Sequence, residues 1–315
     1  MKGWEFTTTH VPLKLVEKPD PVIEPGKVVL DVKAAGLCHS DVGALEDEGW
    51  LEIITKRPVI MGHEFAGVIK EVGKGVTGFK VGDKVGMCPM GLDGTSPGYH
   101  YDGGYATKVM VPAQDLVPVP KGVSFAQAAA GTDAGMTSYH AIFVRGGAKP
   151  GMKVGVIGVG GLGQIAARAA VLRGIDVFAV DVSPAARELA KEIGCKGVFQ
   201  NVMDLEPIGC DLIVDYAGFG TTTADACLAV AKGGTVVLVG MGKLETRINT
   251  KALILQQVNL LGSNGGNKQD IAEVYKLFAS GGLNPLITEI SFDEIGEGIE
   301  KLAHGKVKGR LVAVL

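Results

Sequence analysis

From about residue 150 the chain alternates between apolar runs and helical periodicity. Lys153-Val154-Gly155-Val156-Ile157-Gly158 is a continuous short run of the kind that forms a strand buried on both faces. Residues 162–173 then place Leu162, Ile165, Ala166, Ala169 and Leu172 on one helical face. Val177–Val180 predicts the next strand. The helix after it has its start and stop written in: Ser183 as N-cap, Pro184 at the first helical position and Gly194 just past the end. Leu212–Asp215, Thr235–Val239 and Leu260–Gly262 continue the series, and such alternation implies a parallel sheet covered by helices. Residues 1–134 read differently. Short β-like runs, Val28–Val32 after Pro25-Gly26 and Val68–Val72 before Gly73, are separated by turn signals at Gly82-Asp83 and Gly103-Gly104. The last fifty residues carry two helical patterns, 268–279 and 292–303, and a closing strand Arg310–Val314 expected to return to the first domain. The predicted class is α/β: a doubly wound parallel sheet over residues 135–265, and a β-rich domain built from residues 1–134 and 266–315.

Composition narrows the options. At 315 residues the chain is too long for one hydrophobic core, which agrees with two domains. A net charge of -3 advertises neither nucleic acid nor an anionic membrane as a partner. Charged residues and glycines interrupt every apolar run before it reaches membrane-spanning length, and Met1–Thr8 lacks the apolar core of a secretory signal. Five scattered cysteines, Cys38, Cys88, Cys195, Cys210 and Cys227, argue against a disulfide framework and for a reducing, cytoplasmic setting.

Gly158-Val159-Gly160-Gly161-Leu162-Gly163 has the G-x-G-x-x-G spacing between a strand and a helix, the context that gives this motif meaning. Gly158 permits the tight turn, Gly160 lets the backbone approach a pyrophosphate, and Gly163 lets the helix pack close to the strand. The helix N-terminus offers unpaired N–H groups and the positive end of the helix dipole to the phosphates. Asp181 ends the second strand, where a carboxylate accepts both ribose hydroxyls and repels a 2′-phosphate, favouring NAD over NADP. A glycine turn that binds nothing, or one that binds S-adenosylmethionine in a methyltransferase, is the competing reading. The strand–turn–helix context weighs against the first, and Gly163 with the metal chemistry of the first domain weighs against the second.

Cys38-His39-Ser40-Asp41 and Gly62-His63-Glu64 are the polar islands of the first half. A lone Cys or His is usually structural; a thiolate and an imidazole together suit zinc, which needs a third ligand and, for catalysis, an open position. Asp133, an acid among small residues in Ala130-Gly131-Thr132-Asp133-Ala134-Gly135, needs a partner for its charge, and a metal would be one.

The run Gly62-His63-Glu64-Phe65-Ala66-Gly67 continuing to Gly73-Lys74-Gly75-Val76 resembles the signature of the zinc-containing alcohol dehydrogenases of the medium-chain dehydrogenase/reductase superfamily. Ala35-Gly36-Leu37-Cys38-His39-Ser40-Asp41, Gly161-Leu162-Gly163, Asp181 and Lys308-Gly309-Arg310 resemble the same family, so the likeness covers essentially the whole chain. It implies a GroES-like catalytic domain, a Rossmann domain and reversible oxidation of a primary or secondary alcohol to an aldehyde or ketone with NAD(H). By position, Cys38, His63 and Asp133 would hold one catalytic zinc, with Glu64 beside it. Ser40 would receive the substrate proton. His39 and Arg310 would meet the cofactor pyrophosphate, with Val182 on the adenine and Thr137 a further cofactor contact beside Gly158, Gly160, Gly161, Leu162, Gly163 and Asp181. The resemblance also implies a homodimer or homotetramer, formed near Val258–Gly262.

Two departures stand out. The family's structural-zinc lobe carries four cysteines, whereas the stretch from Gly82-Asp83 to Gly103-Gly104 holds only Cys88, so a structural zinc is expected to be absent. The family's outer relay histidine is Gly43 here. Two rival functions remain, a zinc-independent reductase of an activated C=C bond and a non-catalytic NAD-binding protein of the same fold; the intact ligand set weighs against each. Cys88 reads as a thiol in a loop, and Cys195, Cys210 and Cys227 as core packing. Trp50 reads as substrate-pocket lining or plain packing, Glu46-Asp47-Glu48 as a solvated loop, Asp211 and Asp215 as capping groups, and His100 and His140 as structural or surface imidazoles.

Overall fold

The apolar runs after residue 150 assemble into one six-stranded sheet in a computed structural model that describes all 315 residues. Its order is Gly197–Phe199, Asp176–Val180, Lys153–Ile157, Leu212–Asp215, Thr235–Leu238, Asn259–Gly262, every pair parallel. The chain moves outward from Lys153–Ile157 in one direction, then returns to add Leu212–Asp215 on its other side. That reversal creates the crevice at the strands' carboxyl ends where ligands of such sheets bind. Val154, Val156, Leu212 and Val214 are completely buried, as a sheet covered on both faces requires.

The helix after the glycine turn runs Gly163–Leu172 and buries Ile165, Ala166 and Ala169 as expected, with Ala167 and Ala170 as well. Leu172, assigned to that face, is exposed: the helix ends there. The helix Pro184–Ile193 keeps its written ends, with Ser183 Oγ accepting from Ala186 N and Gly194 left-handed at φ +99°. The three-residue strand Gly197–Phe199 was not legible in the pattern, being too short to show a period.

The chain divides into two units: Met1–Ala134 with Asn267–Gly281 and Ile287–Leu315, and Gly135–Gly266 with Gly282–Leu286. The small excursion Gly282–Leu286 joins the second unit because the Gln164 side chain bonds both backbone groups of Leu286. In the first unit a seven-stranded sheet runs Ile287–Ser291, Arg310–Val314, Lys27–Leu37, Glu64–Val72, Lys84–Met87, Leu116–Pro118, with Lys108–Pro112 also paired to Lys27–Leu37. The closing strand thus lies antiparallel to Lys27–Leu37, with Leu311–Val314 opposite residues 34–37 and Arg310 just beyond the Leu37 end, next to Cys38. No helix is long and apolar enough to cross a membrane.

Candidate active site

Three separate elements of the first unit deliver Cys38, His63 and Asp133 to one place. Cys38 follows strand Lys27–Leu37 and caps helix His39–Glu46. His63 immediately precedes strand Glu64–Val72. Asp133 sits in Gly131–Gly135, a single widened π-type turn between helices Phe125–Ala130 and Met136–Tyr139; such turns occur often at functional sites. The sulfur, nitrogen and oxygen atoms of the three lie within 4.8 Å of one another. One soft and two harder donors, mutually close and partly buried, suit a zinc ion.

His63 holds this arrangement through both ring nitrogens. Nε2 is 3.4 Å from Asp133 Oδ2 and 3.4 Å from Ser40 Oγ. Nδ1 is 3.3 Å from the Tyr99 hydroxyl and 3.4 Å from Asp41 Oδ1. Burial opposes a charge on the ring, but the oxygens of Tyr99, Asp41 and Asp133 outweigh it and hold the imidazole pKa well above its ordinary value. Burial would likewise raise Asp133; its hydrogen bond to His63 and the charges of His63 and Arg310 win, holding it well below the usual carboxylate range.

Glu64 is fully buried behind the ligands. Its Oε1 accepts from Arg310 Nε at 3.0 Å, and Oε2 accepts from Arg310 Nη2 and from the Ala134 amide. Arg310 Nη2 also reaches Asp133 Oδ2 at 3.3 Å. Burial pushes Glu64 up to about 7 against the pull of Arg310. The guanidinium expected at a pyrophosphate is thus a buried link between Glu64 and Asp133. His39 is exposed at the start of its helix.

In the second unit the glycine turn has the required geometry. Gly158 is left-handed at φ +83°, and a Cβ on Gly163 would strike the Gly158 carbonyl. A Cβ on Gly160 would meet nothing within 4 Å, so protein packing alone does not demand glycine there. Gly161 and Leu162 are half-buried beside it. Asp181 Oδ2 accepts from Val159 N and Oδ1 from Ser183 N, each at 2.8 Å, clamping the turn to the next helix. Val182 is 79% exposed, as an adenine contact would be. Thr137 is buried next to Ser138, whose hydroxyl donates to the Leu162 carbonyl. These residues fit a dinucleotide.

Two family models match: the alcohol dehydrogenase GroES-like domain over residues 24–121 and the zinc-binding dehydrogenase over residues 161–280. The chain belongs to the zinc-containing medium-chain alcohol dehydrogenase family. An alcohol dehydrogenase of Geobacillus stearothermophilus is 33% identical over 331 residues, covering 96% of both chains. An NAD-dependent alcohol dehydrogenase of Sulfurisphaera tokodaii is 32% identical over 348 positions, covering all of both. With only 315 residues to align, this family member lacks segments that relative carries. Among solved structures, acetophenone reductase from Geotrichum candidum in complex with NAD superposes with TM-score 0.92 at 30% identity, covering 100% of this chain and 97% of that one. The two units are accordingly of GroES-like and Rossmann type.

Three residues at this alcohol dehydrogenase site escaped the sequence reading. Asp41 was quoted but given no role; its Oδ2 accepts from the Cys38 amide and from the Tyr105 hydroxyl at 2.5 Å, and its other oxygen faces His63. Its position three residues after the N-cap was the available signal. Tyr99 and Tyr105 had no signal, because tertiary folding alone brings them there. Trp50 packs its indole over Gly43, where a side chain would collide with it. Cys88, read as a loop thiol, is buried directly after strand Lys84–Met87, and burial pushes it up to about 11. Asp215 is a capping group as expected, accepting four bonds from Ala217, Gly218, Thr222 and Thr223.

Proposed function

We propose that this chain is an NAD-dependent, zinc-dependent alcohol dehydrogenase acting reversibly on a primary or secondary alcohol, with one zinc per chain and no structural zinc. The convergence of Cys38, His63 and Asp133 carries the reading. Held by these three, a zinc ion would supply Lewis acidity at the alcohol oxygen and lower its pKa. NAD, bound through Gly158, Gly160, Gly161, Leu162, Gly163, Asp181, Val182 and Thr137, would supply the hydride acceptor. His39, exposed at the start of its helix, is carried forward as a pyrophosphate contact.

The protein's own groups do the rest. Ser40 Oγ, beside His63, accepts the substrate hydroxyl proton and passes its own on. Asp41 places its carboxylate charge beside His63, and the Glu64–Arg310 pair fixes Asp133 from behind. Like a carboxylate at any ribose site, Asp181 disfavours NADP. Subunits would pair along the sheet edge Asn259–Gly262, where Leu260 is exposed, as are Ile254 and Leu255 of the preceding helix.

The test is elemental analysis of chelator-free protein followed by an alcohol panel. About one zinc per chain, with NADH formed faster than NADPH, is the expected result; metal-free protein that reduces enones overturns it. In the same assay Ser40→Ala is expected to lower kcat by about 10²- to 10⁴-fold with zinc retained. Unchanged turnover would remove Ser40 from the proton path.

A further inference from the structure

Tyr99 stands at the end of the shortened stretch between Cys88 and Gly103, and its side chain returns to the ligand cluster. Gly98 brings it there: this residue is left-handed at φ +80°, and a Cβ on it would lie 3.0 Å from the Gly62 amide nitrogen. Only glycine lets this backbone press against the segment that carries His63. Lys56 N donates to the Tyr99 carbonyl at 3.1 Å and fixes the segment from the other side.

The side chain then makes three contacts. Its ring stacks on the His63 imidazole, with centroids 5.4 Å apart and planes 28° from parallel. Its hydroxyl is 3.3 Å from His63 Nδ1. The same hydroxyl hydrogen-bonds Ser40. Asp41, the carboxylate that would ordinarily take the outer nitrogen of a metal-binding histidine, gives Oδ2 to Cys38 N and Tyr105, while its Oδ1 completes no hydrogen bond. Trp50 also packs against Tyr99, with centroids 6.3 Å apart and planes tilted by 47°.

We infer that Tyr99 is a positioning residue for both halves of the site: its hydroxyl accepts from His63 Nδ1–H and is hydrogen-bonded to Ser40, fixing the ligand ring and the proton-accepting hydroxyl relative to one another. The inference rests on the dehydrogenase reading above. One neutral group serves both partners because a phenol has one proton to give and lone pairs to receive. By accepting from His63 Nδ1–H, the hydroxyl selects the tautomer whose Nε2 lone pair faces Cys38 and Asp133.

Tyr99→Phe retains the stacked ring and removes only the hydroxyl; Tyr99→Leu removes both. Zinc-loaded wild type and variants would be mixed with excess chelator and zinc release followed with a metal-sensitive dye, alongside kcat and KM for one alcohol. The expected result for Tyr99→Phe is zinc release faster by about 10- to 100-fold and kcat lower by about tenfold, with KM for the alcohol changed less than about twofold. Tyr99→Leu should be at least as impaired in both. A purely structural role predicts instead that Phe restores wild-type zinc release and kcat while Leu does not, and that outcome overturns the inference. Wild-type protein that holds no zinc overturns the dehydrogenase reading and this inference with it. Wild-type protein that holds zinc and oxidises the alcohol, beside an indistinguishable Tyr99→Phe, overturns this inference alone.

Discussion

Cys38→Ser is expected to reduce bound zinc from about one per chain to near zero and to lower kcat/KM by at least about 10³-fold, the several kcal/mol that Lewis-acid stabilisation of a developing alkoxide supplies. The thiolate is the one soft donor of the set, and a serine hydroxyl is a far poorer ligand at neutral pH. Elemental analysis and steady-state kinetics on the same sample check it. Full zinc content with unimpaired turnover would remove Cys38 from the ligand set. Acidification should mimic the substitution. Because the neighbouring oxygens of Tyr99, Asp41 and Asp133 favour the protonated His63 ring, protons compete with metal there, and apparent zinc affinity should fall as pH drops.

Arg310→Met is expected to destabilise the fold by about 3–5 kcal/mol, because it strands the buried Glu64 and leaves Asp133 with one cation fewer. In thermal unfolding this corresponds to a Tm lower by roughly 10 °C. The loss should grow with pH. Glu64 already titrates in the fold at about 7, above its unfolded value, so the folded state favours the protonated acid. Without the guanidinium its folded pKa rises further. Stability is then retained below the unfolded carboxylate pKa and is lost as pH climbs through the folded one. A Tm deficit much larger at pH 8 than at pH 5 is the signature; a deficit independent of pH would mean that Glu64 is not the stranded group. Glu64→Gln combined with Arg310→Met should recover part of the loss, since it removes the uncompensated charge.

Much of this architecture was legible before any coordinates. The sheet of the second unit follows from apolar runs such as Lys153–Ile157 and from the Ser183, Pro184 and Gly194 punctuation, because backbone conformation and burial on two faces are local demands that each segment states by itself. The glycine turn belongs to the same kind of information: the collision between a Cβ on Gly163 and the Gly158 carbonyl spans only five residues. Segments too short for a period, such as Gly197–Phe199, and the widened turn that carries Asp133 were not legible, since neither alters the apolar pattern.

At the ligand cluster the sequence by itself determined the chemistry: a thiol in Cys38-His39-Ser40-Asp41, an imidazole and a carboxylate in Gly62-His63-Glu64, and an isolated acid at Asp133. Only the tertiary structure decided their partners. Arg310 is 246 residues from Glu64 and reaches it because strand Arg310–Val314 pairs with Lys27–Leu37, which in turn pairs with Glu64–Val72. Tyr99 reaches His63 because two glycine-containing segments approach closely enough to exclude any side chain between them. Donor identity is a property of single residues, whereas the charge and orientation of each donor depend on neighbours that long-range pairing and close packing supply.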